Sequence, residues 1–235
     1  MSQLRASFTI DLEPDCPPYL WTWRGVEEGM PRLLAMLAEE GVRATFFTTG
    51  DVARRYPAVV RALLDAGHEL ACHGMSHTAF DTMSLAQARA EITESAAILR
   101  DFAEVTSFRA PYLRFPAAYL PLLVDAGFDV DSSIARYKRQ PRGTSPLKRI
   151  PASVTSSVLR AWDVVRWPYL RLQRDPVVLF VHPWEFVDLT RETLRWDCRL
   201  RTGEPALVRT REVIRDFTAR GARWATIREL AREIG

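Results

Sequence analysis

An α/β fold on a parallel sheet, open or closed into a barrel, is what this sequence predicts. Three observations carry the expectation. Short β-prone runs alternate with amphipathic helical stretches from one end of the chain to the other. One run, "PVVLFVH" at 176–182, is apolar almost throughout, as a strand buried on both faces of a parallel sheet is. The unusual polar residues fall just after the strands, where such folds carry their sites. The chain has 235 residues, 47% of them hydrophobic, enough to fill one domain over 1–235 with its own core.

Each element has a local reason. "ASFTID" (6–11) reads as the first strand. Residues 31–40 read as a helix with Pro31 in its first turn, where the missing N–H costs little, and Gly41 ends it. "VRATFFTTG" (42–50) is the second strand. From Asp51 to Ala66, Val52, Tyr56, Val59, Val60, Leu63 and Leu64 recur at helical spacing, and Gly67 stops the run. "HELACH" (68–73) is the third strand. Ser84 and Gln87 form a capping-box pattern before a helix that carries Leu85, Ala88, Ile92, Ala96 and Leu99 on one face. Strands follow at 106–111 and 127–133, separated by a helix through Tyr119–Ala126. After 176–182, Leu207, Ile214 and Phe217 mark a helix closed by Gly221, "ARWAT" (222–226) is the last strand, and Thr226 with Glu229 caps the final helix. The stretch 136–149 is a basic loop rich in Pro and Gly, read as a solvated connector, with phosphate contact as the sharper alternative.

Composition excludes several classes. The net charge of +3 rests almost wholly on arginine, Lys138 and Lys148 being the only lysines, and no basic stripe with interleaved aromatics points to nucleic acid. Cys16, Cys72 and Cys198 are odd in number and far apart, so neither a zinc knuckle nor a disulfide framework is indicated. The start "MSQLRASFTI" has no apolar signal core, and no apolar run reaches membrane-spanning length. A cytoplasmic protein with free thiols is the expectation, and no protein partner is implied.

The first acidic cluster, "TIDLEPD", poses the functional question. Side chains alternate along a strand, so Thr9, Asp11 and Glu13 share one face while Ile10 and Leu12 share the other. Two acids aimed at one point call for a cation. His73 and His77 can supply two neutral imidazoles from one loop, and Gly74 argues against a regular helix there. Two histidines and a carboxylate with open positions form a catalytic metal pattern. An H-x3-H pair alone is also explained by packing or surface histidines; the acid cluster and His182, each at a strand end, add the weight. Asp15 is a supporting acid, a ligand or a turn cap, with capping the default. His68 is structural or exposed. Cys72 faces packing. Trp162, Trp167 and Tyr169 are core aromatics, a substrate platform or a contact for a membrane surface. Trp184 and Glu185 follow His182 closely enough to shape a pocket.

These motifs have a family resemblance. "ATFFTTG", "AGHELACHGMSH", "FRAPY", "DAGFDVDSS" and "LFVHPWEF" occur in the order found in the polysaccharide deacetylases of carbohydrate esterase family four, the NodB-homology domain, which the chain resembles over roughly residues 6–230. The resemblance implies a distorted (β/α) barrel, here of about seven parallel strands, and metal-dependent removal of an acyl group from a sugar. It implies that Asp11 is the catalytic base, that His73 and His77 bind the metal, and that Arg109 orients the base. It implies that the backbone N–H of Tyr112 stabilises the oxyanion, that Asp131 supports the catalytic histidine, and that His182 is the general acid. Leu179 and Val181 are candidates for the acyl pocket. Many members have a second aspartate directly after the base. Leu12 stands there in this chain, and Glu13 is the expected ligand, in agreement with strand parity. One divalent metal is expected, zinc first and cobalt or nickel as substitutes. The expected substrate is an N-acylated sugar or sugar-containing small molecule, soluble or lipid-linked at a membrane surface. Alternatives are a hydrolase of another linear or cyclic amide, of the allantoinase-like kind, or an inactive carbohydrate-binding member of the fold.

Overall fold

The computed structural model describes residues 3–138 and 146–234. Among these, nine strands form one parallel sheet: β1 (Arg5–Leu12), β2 (Thr45–Thr48), β3 (Glu69–Cys72), β4 (Ser107–Phe108), β5 (Val130–Asp131), β6 (Lys148–Arg149), β7 (Val154–Thr155), β8 (Val177–Val181) and β9 (Arg223–Trp224). Their order is β6-β5-β4-β3-β2-β1-β8-β7. β9 joins the lower half of β1, where Ala6 pairs with Trp224 on one side and Val177 on the other. This is the distorted (β/α) barrel of the expectation, with β6 and β7 as its two unpaired edges among the described residues. The helices are α1 (Met30–Glu39), α2 (Gly50–Arg55), α3 (Pro57–Asp65), α4 (Leu85–Arg100), α5 (Leu120–Asp125), α6 (Ser156–Leu159), α7 (Asp163–Arg171), α8 (Trp196–Arg199), α9 (Glu204–Ala219) and α10 (Ile227–Glu233).

Alternation along each strand divides the interior. Phe8, Ile10 and Leu12 of β1, Phe46 of β2, Leu70 and Cys72 of β3 and Leu179 of β8 face the helices in the main core. Cys72 meets Ser95 of α4 at 3.2 Å, so its packing role holds. Phe47, Ala71, Val130 and Val178 face inward, where Ile227, Leu230 and Ala231 of α10 pack against them and plug the N-terminal end of the barrel. The plug is held by polar contacts as well. Glu69, buried, accepts from Thr45 Oγ1 and Ser107 Oγ at 2.7 Å each and from the Arg228 N–H of α10 at 3.0 Å. A carboxylate accepting from a helix N-terminus is favoured by the unsatisfied N–H groups there.

The capping boxes at Ser84–Gln87 and Thr226–Glu229 both form. The helix expected over 51–66 is instead two, α2 and α3, broken at Tyr56 (φ −127°, ψ 55°). Pro57 is the cause: it lacks an N–H and pushes the residue before it out of helical geometry. Trp167 and Tyr169 pack against the core, whereas Trp162 is half exposed beneath the Arg201 guanidinium. Half of the basic loop, 139–145, lies outside the described residues.

Candidate active site

At the C-terminal end of the barrel, strand ends deliver polar side chains to one point. β1 contributes Asp11 and, one residue past its end, Glu13. His73 follows β3, Arg109 follows β4 and His182 follows β8. The loop that carries His77 turns through positive φ at Gly74 (75°) and His77 (59°). Two anchors hold that loop: the first N–H groups of α2, on Gly50 and Asp51, donate to the carbonyls of Gly74 and Met75, and Glu91 of α4 accepts from Ser76 Oγ at 2.5 Å. A Cβ at Gly50 would sit 2.2 Å from the Met75 sulfur, so any larger residue there would force Met75 to move.

Glu13 lies at the centre. Its Oε2 is 2.6 Å from His77 Nε2 and 3.2 Å from His73 Nε2, and its Oε1 is 3.8 Å from His182 Nε2. Burial by itself would raise the Glu13 carboxyl; the facing His77 and His182 imidazoles outweigh it and hold it well below the usual range. His73 donates from Nδ1 to the Arg109 carbonyl at 2.7 Å, which turns Nε2 toward Glu13. His77 Nδ1 is buried without a hydrogen-bond partner, and the Tyr112 ring meets His77 edge-on at 4.6 Å. Donor atoms of Glu13, His73 and His77 all lie within 4.8 Å of one another, and all three residues are buried. One carboxylate and two imidazoles suit a divalent transition metal, so the residues present fit the implied ion.

Asp11 has different neighbours. Arg109, fully buried, donates from one terminal nitrogen to Asp11 Oδ1 at 2.6 Å and Thr9 Oγ1 at 2.9 Å, and from the other to Ser132 Oγ at 3.0 Å. Its guanidinium lies 4.1 Å from the centre of the Phe47 ring. The second Asp11 oxygen, Oδ2, faces His73 Nε2 at 3.9 Å. Asp15 is not part of this group. It accepts from Thr22 Oγ1 (2.6 Å) and from the Arg24 and Gly25 N–H groups (2.8 Å each), the capping role that was its default.

Two sequence expectations are corrected. Asp131 does not support His182. Its neighbours Val130 and Ser132 face the barrel interior and Arg109, so parity turns Asp131 to the other side, where it pairs with Arg149 at 2.8 Å. The partner of His182 is Glu185, which accepts from Nδ1 at 2.7 Å and from the His182 backbone N–H at 3.0 Å. Arg160 closes the set, 3.0 Å from the other Glu185 oxygen. The second correction concerns Leu179 and Val181, which face the helices in the main core. Phe180 is the β8 residue that lines the cleft, 5.6 Å from the His182 ring. Trp184 lines it too, stacked on His182 at 5.0 Å. Burial alone would lower the His182 pKa; Glu13 and Glu185 outweigh it and raise it to about 9. The cleft, of about 580 Å³, is rimmed by Tyr19, Tyr112 and Tyr137, all partly or largely exposed.

Fold and site together define a parallel α/β barrel with a polar, donor-rich cleft at the strand ends. The chain belongs to the polysaccharide deacetylase family, whose model matches residues 7–130. It is 30% identical over 110 residues to a peptidoglycan deacetylase of Helicobacter pylori, covering 46% of this chain and 38% of that protein. It is 34% identical over 85 residues to a chitooligosaccharide deacetylase of Sinorhizobium fredii, covering 35% of this chain and 40% of the relative. These matches span about two fifths of the length of each relative. A polysaccharide deacetylase-like structure from Mycobacterium smegmatis superposes with a TM-score of 0.74 at 21% identity, over 99% of this chain and 90% of that one. That likeness concerns the fold.

Proposed function

We propose that this protein is a divalent-metal-dependent hydrolase that removes an N-acetyl group from an amino sugar, with short N-acetylated oligosaccharides as the substrate class. The observation that carries the reading is the buried Glu13–His73–His77 donor set with an arginine-held carboxylate on one side and a carboxylate-held imidazole on the other. The relatives' activities on peptidoglycan and chitooligosaccharide point to the same sugar chemistry.

Glu13, His73 and His77 would hold the cation, zinc first by donor type, which supplies Lewis acidity to the acyl carbonyl and the attacking water. Asp11 takes the proton of that water at Oδ2, since Oδ1 is occupied by Arg109. The ion pair with Arg109 fixes Asp11 in place, as a base must be. The backbone N–H of Tyr112 donates to the developing oxyanion. His182 gives the proton from Nε2 to the leaving nitrogen, and Glu185 on Nδ1 fixes the tautomer and ring orientation that this requires. Phe180 and Trp184 screen the reacting carbonyl from bulk water.

Acetate release from N-acetylated chitooligosaccharides tests the reading. Release is expected with zinc or cobalt present and is lost in chelator. A metal-loaded protein that releases acetate from none of these sugars, or that opens only cyclic amides, overturns it.

A further inference from the structure

The cleft wall carries two thiols for which the hydrolytic reading has no use. Cys16 sits in the loop after β1, at a left-handed turn (φ 44°), and Cys198 sits in α8. Both line the cleft, and both belong to one small apolar cluster with Trp184, Val187 and Leu189. Both are free, and the two thiols act on each other electrostatically. Cys72, by contrast, is on the helix side of β3.

We propose that Cys16 and Cys198 form an oxidation site, which hydrogen peroxide converts into an intramolecular disulfide across the cleft wall. The half-buried Cys198 is the attacking thiol. Its interaction with Cys16, aided by Arg195 and Arg160 against its burial, favours its thiolate form. The thiolate attacks the peroxide: an S–O bond forms, the O–O bond breaks, and the departing oxygen is protonated to water. The Cys16 sulfur then attacks the sulfenic sulfur: an S–S bond forms, the S–O bond breaks, and a second water leaves. Two thiols and one peroxide become one disulfide and two waters.

The bond reaches His182 by two routes. A disulfide is about 2.05 Å long, well inside the contact distance of two thiols, so closing it draws the β1 loop and α8 together. Trp184, in the same cluster, is stacked on His182. Arg160 donates to the carbonyls of Asp197, Cys198 and Leu200 and also holds Glu185, the partner of His182. A displaced α8 therefore shifts the ring that delivers the proton.

Reduced full-length protein is treated with a few equivalents of hydrogen peroxide, denatured, alkylated with iodoacetamide and mapped by peptide mass. The expected result is alkylation at Cys72 only, with the Cys16 and Cys198 peptides joined and lighter by two hydrogens, reversed by dithiothreitol. Cys198→Ser should leave Cys16 alkylated after the same treatment. Alkylation of both Cys16 and Cys198 in oxidised wild-type protein overturns the proposal, as does a sulfinic acid at Cys198 beside an intact Cys16 thiol. This map reads thiols and does not depend on the deacetylase reading. Where acetate release is measurable, the oxidised sample should turn over several-fold more slowly than the same sample after dithiothreitol; equal rates overturn the coupling to His182.

Discussion

Asp11 and Glu13 stand two residues apart on one side of β1 and its end, and their surroundings differ. Asp11 has Arg109 as its counter-charge; Glu13 has only imidazoles. Glu13→Gln should therefore weaken divalent-metal binding at least about 10-fold, by analogy with the loss of supporting contacts at metal sites. Asp11→Asn should keep the metal and lose about 10²–10⁴ in turnover, the range of a general base. Asp15→Asn should keep both and instead destabilise the fold by about 1–3 kcal/mol, since its amide would face backbone donors. Metal content, acetate release and urea unfolding of the three variants decide this; an empty site in Asp15→Asn beside a loaded Glu13→Gln reverses the assignment. His182 offers a second measurement. In metal-free protein its imidazole should titrate near 9, because Glu13 and Glu185 outweigh burial. Glu185→Gln removes one carboxylate and should lower that value, and an added divalent cation near Glu13 should lower it too. Histidine NMR over pH 5–10 reads both shifts. A wild-type value at or below the ordinary 6.5 would mean that neither carboxylate acts on the ring.

At the scale of elements, what was legible depended on period and length. β1 alternates, so its inward face and the Glu13 assignment follow directly from "TIDLE". β8 is apolar on both faces, so hydrophobicity gives no parity and does not tell Leu179 from Phe180. Counting back from His182 gives Phe180 instead. β5 is two residues long, too short for alternation to assign Asp131, and β6 and β7 are equally short. Glu185 stood in view three residues after His182, but its hydrogen bond depends on the tight turn of "HPWE". The packing of Cys16 and Cys198 in one cluster and the contact of Glu185 with Arg160 join distant segments and have no local signal. The start of β3 yields a prediction of its own. His68 is buried and accepts the Ala44 N–H at Nδ1, so it folds in as the neutral form. Burial, with Arg43 nearby, lowers its pKa to about 4. The sign follows: the folded value lies below the unfolded 6.5, so the unfolded chain takes up a proton first as pH falls. Stability from this group is full above about 6.5 and is lost progressively down to about 4, by up to about 3 kcal/mol. Urea unfolding between pH 4 and 8 should show that slope, flattened in His68→Gln; an identical slope in the variant would assign acid sensitivity to other groups.

Over the whole molecule, the two ends of the barrel are closed in different ways. α10 fills the N-terminal end with apolar side chains and is tied down by Glu69. The C-terminal end instead gathers buried acids and imidazoles, with Asp11, Glu13, His73 and His77 all nearly inaccessible. Burying acids and imidazoles together carries a desolvation cost, and a cation seated on those donors offsets part of it. The donors come from the β1 end and the loop after β3, which lie on either side of β2. A bound ion therefore ties together strands at the centre of the sheet and should stabilise the fold as a unit. A ligand at about 100 times its Kd adds roughly 2.7 kcal/mol. For a chain of this size each kcal/mol moves Tm by about 2–4 °C, so saturating zinc or cobalt should raise Tm by roughly 5–10 °C over chelator-treated protein. The rise should shrink in Glu13→Gln at the same metal concentration and persist in Asp11→Asn, whose metal donors are all in place. If Glu13→Gln rises as far as the wild type, the ion stabilises the fold from another site, and the Glu13–His73–His77 set is not where it binds.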